Sequence, residues 1–197
     1  MSPNLEGRCP RCWVMLGHCV CAQIPSLPTT TRLLVVRHVK ERHKSTNTAR
    51  LASLALPAMS IVDYGVQGSP FDEALLAGED TWALFPGGGS ALTDQRPKTL
   101  VILDGTWAQA RQMSHRIAAF GRLPRLSLEA PLAPALRLRR PPHPEGMSTL
   151  EAIALALGRL EGDPVREALL RLHDHYVRAV LGARGQAASS LDCGEPA

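Results

Sequence analysis

The chain has 197 residues, 45% of them hydrophobic and 20% charged, with a formal net charge of +4 and a pI near 9.0. That length buries one substantial core, no stretch approaches the about 18 uninterrupted apolar residues of a membrane span, and MSPNLEGRCPRC lacks a signal peptide's apolar segment, so a soluble, cytoplasmic protein with no membrane partner is expected. The mild excess of base favours a polyanionic partner only where it is clustered.

The first informative segment is CPRCWVMLGHCVC, with Cys9, Cys12, Cys19 and Cys21 spaced CxxC then CxC. Two tight turns can present four sulfurs to one tetrahedral ion, and zinc takes four thiolates at about 2.3 Å in closed, structural sites. Disulfides are disfavoured in a reducing compartment, whereas an iron–sulfur cluster uses the same ligands and spacing alone does not separate it from zinc. His18 is an alternative fourth ligand, but four cysteines already close the site. The metal is therefore expected to fold a knuckle too small for a core of its own. Residues 1–28 are taken as this knuckle and its Pro- and Thr-rich connector, 29–182 as the main domain, and 183–197, with the incidental Cys193, as a disordered tail.

Arg32 to Val39 is an apolar, β-branched run that predicts the first strand. From its exit, HVKERHKSTNTARL leads into a short helix ending near Pro57. Its polar residues, among them His38, Glu41, Lys44 and Asn47, can hold a ribose or a phosphate, while Ser45, Thr46 or Asn47 can equally be helix N-caps. Arg37, Lys40, Arg42, Lys44 and Arg50, with His38 and His43, form the densest positive region of the amino-terminal half. It is either a solvated face or a track for an RNA backbone. Met59 to Tyr64 predicts a second strand, Ser69 to Asp80 an acid-containing segment with a short helix, and Trp82 to Phe85 a third strand. Pro86 and Gly87 to Gly89 then form a loop whose backbone can approach a ligand closely. GxGxxG and GxxxxGK[ST] are both absent, which removes support for a Rossmann dinucleotide site or a P-loop.

The stretch LVILDGTWAQARQM combines a buried strand, Leu100 to Leu103, with a helix starting at Thr106. Asp104, Thr106 and Trp107 thus fall at a strand's C-terminal end, where ligands bind in open α/β sheets. The alternative is that Asp104 or Thr106 is an N-cap and Trp107 a core anchor. The helix is predicted to run to about Phe120, followed by a strand over Arg125 to Leu128 and a Pro-rich segment carrying a second basic cluster, Arg137, Arg139 and Arg140. MSTLEAIALALGRLEG predicts a helix from Ser148 to Leu160, with Ser148 and Glu151 in capping-box spacing. Asp163 and Pro164 open a last helix, Val165 to Leu181, with Leu169, Leu172, Val177 and Val180 facing inward. The fold class is α/β, with a central, mostly parallel sheet and flanking helices.

DGTW at a strand-to-helix junction, the HxxE and TNT elements after the first strand, the FPG loop, and LRLRRPPHPEGMSTLEA together resemble the DTW-domain family, and in particular its bacterial tRNA-uridine aminocarboxypropyltransferases, over Cys9 to about Leu181. The resemblance implies a SPOUT-like fold with a C-terminal knot. It also implies transfer of the 3-amino-3-carboxypropyl group of S-adenosylmethionine to N3 of a tRNA uridine, releasing methylthioadenosine. Asp104 would accept the N3 proton or hold the donor's ammonium group. Phe85, Pro86, Gly87, Thr106, Leu136, Ser148 and Thr149 would line the cofactor pocket, with Trp107 against the adenine or the uracil. His38, Glu41, Lys44, Asn47, Arg137, Arg139 and Arg140 would meet the RNA. Two competitors remain: a SPOUT-type RNA methyltransferase, and a zinc-containing RNA-binding module without chemistry. The sequence does not fix the oligomeric state, and a monomer is the expectation.

Overall fold

The computed structural model describes residues 5–85, 96–128, 136–138 and 146–185. Five parallel strands, β1 (Arg32–His38), β2 (Met59–Tyr64), β3 (Thr81–Leu84), β4 (Thr99–Asp104) and β5 (Arg125–Leu126), form one sheet in the order β2-β1-β4-β3-β5. Around it lie α1 (Thr48–Ala55), α2 (Trp107–Arg116), α3 (Ala118–Arg122), α4 (Thr149–Glu161) and α5 (Asp163–Ala183). The knuckle adds 3-10 turns at Leu16–His18 and Cys21–Gln23, and two further turns follow β1 and β2, at Val39–Glu41 and Glu73–Leu76.

The period-2 alternation of strand side chains sorts the core into two layers. Leu33, Val35, Trp82, Leu84, Leu100 and Ile102 point to the face covered by α1, α4 and α5. Leu34, Val36, Ala83, Val101 and Leu103 point to the other, with Met113, Ile117 and Phe120. The inner strands β1, β4 and β3 are buried on both faces, which explains why they read as apolar runs. The knuckle joins the first layer, since Cys9, Cys12, Val14 and Val20 belong to the same cluster as the sheet. α4 and α5 are joined at Gly162, whose φ of 104° suits a residue without a Cβ.

Two elements differ from the sequence expectation. The helix expected from Thr106 to Phe120 breaks at Ile117, a buried residue with extended backbone (φ −88°, ψ 96°). The new helix start is satisfied from outside, because Ala119 donates its N–H to the Glu73 carboxylate at 2.6 Å. The strand expected over Arg125 to Leu128 is a two-residue edge strand, Arg125–Leu126. The knot expected from the family resemblance concerns a region that includes 129–135 and 139–145, outside the described residues. No helix among the described residues is long and apolar enough to cross a membrane.

Candidate active site and metal centre

β1 and β4 lie side by side, with Arg37 opposite Asp104 in the register. The helix after β1 packs on one face of the sheet and the helix after β4 on the other. This divergence makes the strands' C-terminal ends here the switch point, the place where doubly wound sheets take ligands. Asp104 stands there, 4% exposed. Its Oδ2 accepts from Asn47 Nδ2 and its Oδ1 from Thr149 Oγ1, both at 2.6 Å. Burial pushes the Asp104 carboxyl above its ordinary range, against the opposing pull of the bonds from Thr149 and Asn47.

Each donor is itself fixed by a helix start. Asn47 is the N-cap of α1, accepting from the Arg50 N–H at 2.9 Å while its amide reaches Asp104. Thr149 is the first residue of α4, directly after the N-cap Ser148. The two helix starts meet, because Leu150 donates its N–H to Thr48 Oγ1 at 3.3 Å. Two converging N-termini bring partial positive charge toward Asp104, which favours its ionised form or another carboxylate nearby.

Behind Thr149 lies a buried polar layer. Ser148 and Glu151 form a reciprocal capping box. Ser148 Oγ also meets His173 Nε2 at 3.1 Å, and Arg137 Nε approaches Glu151 at 3.6 Å. Burial lowers the basicity of His173, so the ring is neutral near pH 7. His173 was not singled out from sequence. The available signal was its place in α5, next to the inward Leu172 and three residues before the inward Tyr176. Tyr176, whose hydroxyl donates to the Ser45 carbonyl, ties α5 to the loop before α1 and was missed as well.

The remaining expected residues divide by location. His38 ends β1, its Nδ1 accepting from the Lys40 N–H at 3.2 Å, and burial lowers its basicity, as does the charge of Lys40. Glu41 is buried with the Lys44 ammonium against it at 2.5 Å. Thr106 is the exposed N-cap of α2 in a capping box with Gln109, and Trp107 is 37% exposed, so it is no core anchor. Phe85, half-buried, packs edge-on against Phe120 at 5.8 Å. Leu136 packs at the border of the first core layer. Pro86, Gly87, Arg139 and Arg140 lie outside the described residues.

In the knuckle, the sulfurs of Cys9, Cys12, Cys19 and Cys21 all lie within 4.8 Å of one another. Cys9 and Cys21 are 3.5 Å apart and Cys12 and Cys19 3.8 Å. Thiolates at about 2.3 Å from a tetrahedral ion stand about 3.8 Å apart, so the residues fit a metal. The Cys12 backbone N–H, with other bonds, draws the Cys9 thiol down to about 6, while burial and the neighbouring sulfurs push Cys21 up to about 12. Four such sulfurs carry negative charge together only around a cation. Arg50 joins this knuckle to the site: its guanidinium donates to the Pro10 and Arg11 carbonyls and lies 3.7 Å from the Trp13 ring centre, and its backbone N–H caps onto Asn47.

Curated relatives align with most of this chain. It is 27% identical over 178 residues to the tRNA-uridine aminocarboxypropyltransferase 2 of Macaca fascicularis, covering 83% of this chain and 60% of the relative. The proteins of the same name in Drosophila melanogaster and Mus musculus are 28% and 29% identical, covering 86% and 83% of this chain and 73% and 60% of their own lengths. This chain therefore spans about three-fifths of the macaque and mouse proteins. No solved structure matches. The DTW domain model matches residues 6–181, from the cysteine knuckle through Asp104 to the end of α5, and the chain belongs to the DTW domain family.

Proposed function

We propose that this protein transfers the 3-amino-3-carboxypropyl group of S-adenosylmethionine to N3 of a tRNA uridine, releasing methylthioadenosine. The observation that carries the reading is Asp104, a buried carboxylate held by Asn47 and Thr149 at the switch point of a DTW-family sheet. The names of the macaque, fruit-fly and mouse relatives support the same reaction.

The sulfonium donor is already activated, so the protein's task is to orient it and to raise the nucleophilicity of an imide nitrogen. Asp104 takes the N3 proton as the new N–C bond forms and the C–S bond breaks, the bonding pair staying on sulfur to give the neutral thioether. Burial suits this role, because a carboxylate with a raised pKa is a stronger base. Asn47 and Thr149 aim the two oxygens, and the paired starts of α1 and α4 favour the donor's own carboxylate beside them. Thr106, Trp107, Phe85, Pro86, Gly87, Leu136 and Ser148 form the cofactor wall, with the exposed Trp107 ring as a stacking surface. His38, Glu41, Lys44 and Arg137 border the RNA with Arg139 and Arg140.

The four cysteines hold a structural zinc, which closes the knuckle and supplies no chemistry to the transfer. The protein works in the cytoplasm, where its RNA substrate and donor coexist.

Mass spectrometry after incubation with S-adenosylmethionine and unmodified bacterial tRNA tests the reaction. Methylthioadenosine formed only with tRNA, together with a tRNA adduct of aminocarboxypropyl mass, is expected. S-adenosylhomocysteine would replace the reading with methylation, and tight tRNA binding without turnover would replace it with an RNA-binding module.

A further inference from the structure

Three of the five Arg and Lys side chains in the densest basic cluster of the sequence are engaged in ion pairs in the fold, and Arg50 is turned onto the knuckle, while Lys40 stays exposed. Arg37 and Arg42 both reach the Asp63 carboxylate, at 2.8 and 3.3 Å, and Lys44 is held by Glu41. Arg137 faces Glu151, and on α5 Arg166 and Arg171 pair with Asp163 and Glu167.

A different surface keeps its charge. From Gly105 to Leu128 the chain contains no Asp or Glu, yet carries Arg111, His115, Arg116, Arg122 and Arg125. The first four are exposed on α2 and α3. Among the described residues no carboxylate pairs with Arg111, Arg116 or Arg122; the nearby Glu73 is taken up by the Ala119 N–H. Met113 and Ile117 pack inward, which leaves Arg111 and His115 one turn apart on the outer side of α2. Four residues before Arg111 on that side is Trp107, three residues beyond Asp104. The row therefore begins one helical turn beyond Trp107, at the end of the sheet that carries Asp104, and runs away from it.

We propose that this outer face of α2 and α3, through Arg111, His115, Arg116 and Arg122, is the surface on which the tRNA backbone docks. The identity of the polynucleotide rests on the transfer reading above. A uridine seated at Asp104 belongs to a strand that must leave across adjoining surface, and this row is a positive surface starting near there that has no carboxylate partner among the described residues. Guanidiniums without internal partners can bind phosphate without first breaking an ion pair, whereas Arg37 and Arg42 would have to release Asp63. The contacts are to phosphate, so they set affinity and register while the pocket reads the base.

The test measures binding of a labelled, unmodified tRNA transcript to the full-length protein by fluorescence anisotropy between about 50 and 200 mM salt. The triple variant R111Q/R116Q/R122Q should bind about tenfold more weakly at the lower salt and lose about two from the slope of log affinity against log salt. R166Q/R171Q/R178Q, which removes the same charge from α5, should stay within about twofold of wild type. Equal weakening by both triples would mean that only net charge is sensed. Unchanged binding by the α2–α3 triple would place the RNA elsewhere, and either result overturns the docking face. Wild-type protein that shows the salt-dependent binding but forms no methylthioadenosine would end the transfer reading and leave the docking face standing. Turnover of wild type matched in kcat/KM by the α2–α3 triple would do the reverse.

Discussion

Asp104 concentrates a conflict between stability and chemistry in one side chain. A carboxyl whose folded pKa lies above its unfolded value holds its proton better in the native state. Its contribution to stability is thus complete below the ordinary pKa of 3.8 and is lost as pH rises through the folded value. Asp104→Asn keeps both bonds, the Asn oxygen accepting from Asn47 and its amide donating to Thr149, without a charge to bury. At neutral pH this variant should melt at or above the wild-type temperature while forming less than about one-hundredth of the methylthioadenosine, as calorimetry and product assay would check. For wild type, kcat/KM should fall as pH drops, with an apparent pKa above the ordinary carboxylate range. A folded Asp104→Asn enzyme with near-normal turnover would remove Asp104 from the reaction. This residue was legible in the sequence because four apolar residues end abruptly at it, leaving an acid at a strand's exit. Its burial was not, since that depends on Asn47 and Thr149, which arrive from well before and well after it in the chain.

At the scale of elements, two helix starts act as the clamp on that carboxylate. Asn47 does two jobs, of which the sequence offered only the first: its oxygen caps α1 and its amide binds Asp104. The two are separable by substitution. Asn47→Ser should retain the cap and near-wild-type stability but lose about tenfold in transfer, because a serine hydroxyl is too short to span both partners. Asn47→Ala should lose the same activity and about 1 kcal/mol of stability, measurable in urea. Thr149→Val removes a bond that favours the charged carboxylate, so its pH–rate profile should move to higher pH while α4 stays intact. Helix starts are written locally, as S-x-x-E at Ser148 shows, and so were predictable. The break between α2 and α3 was not, because no Pro or Gly marks Ile117; the start of α3 beyond it is satisfied by the distant Glu73 through the Ala119 N–H. The same limit applies to charge: spacing displays Arg37 and Arg42 as a cluster but says nothing of Asp63, which parallel pairing of β1 with β2 brings beside them.

The whole molecule has one continuous structural unit from knuckle to α5 in its first core layer. Removing the metal with a chelator should therefore lower the melting temperature of the protein in a single transition. A loss of about 2 kcal/mol already corresponds to about 4–8 °C at this size. A separate low-temperature transition, with the main melt unmoved, would show that the knuckle is an independent appendage. The layered α/β architecture was legible from alternating apolar runs and helix signals, whereas strand order depends on long-range pairing that no local pattern encodes. That order also governs how the chain comes together during synthesis. β1 and β2 can pair early, but β4 fits between β1 and β3, and Thr149 follows β4 by a long stretch of chain. Such non-local pairing is slow to form. A nascent chain that stops before α4 lacks the Thr149 partner of Asp104, so the completed site is withheld until α4 has left the ribosome.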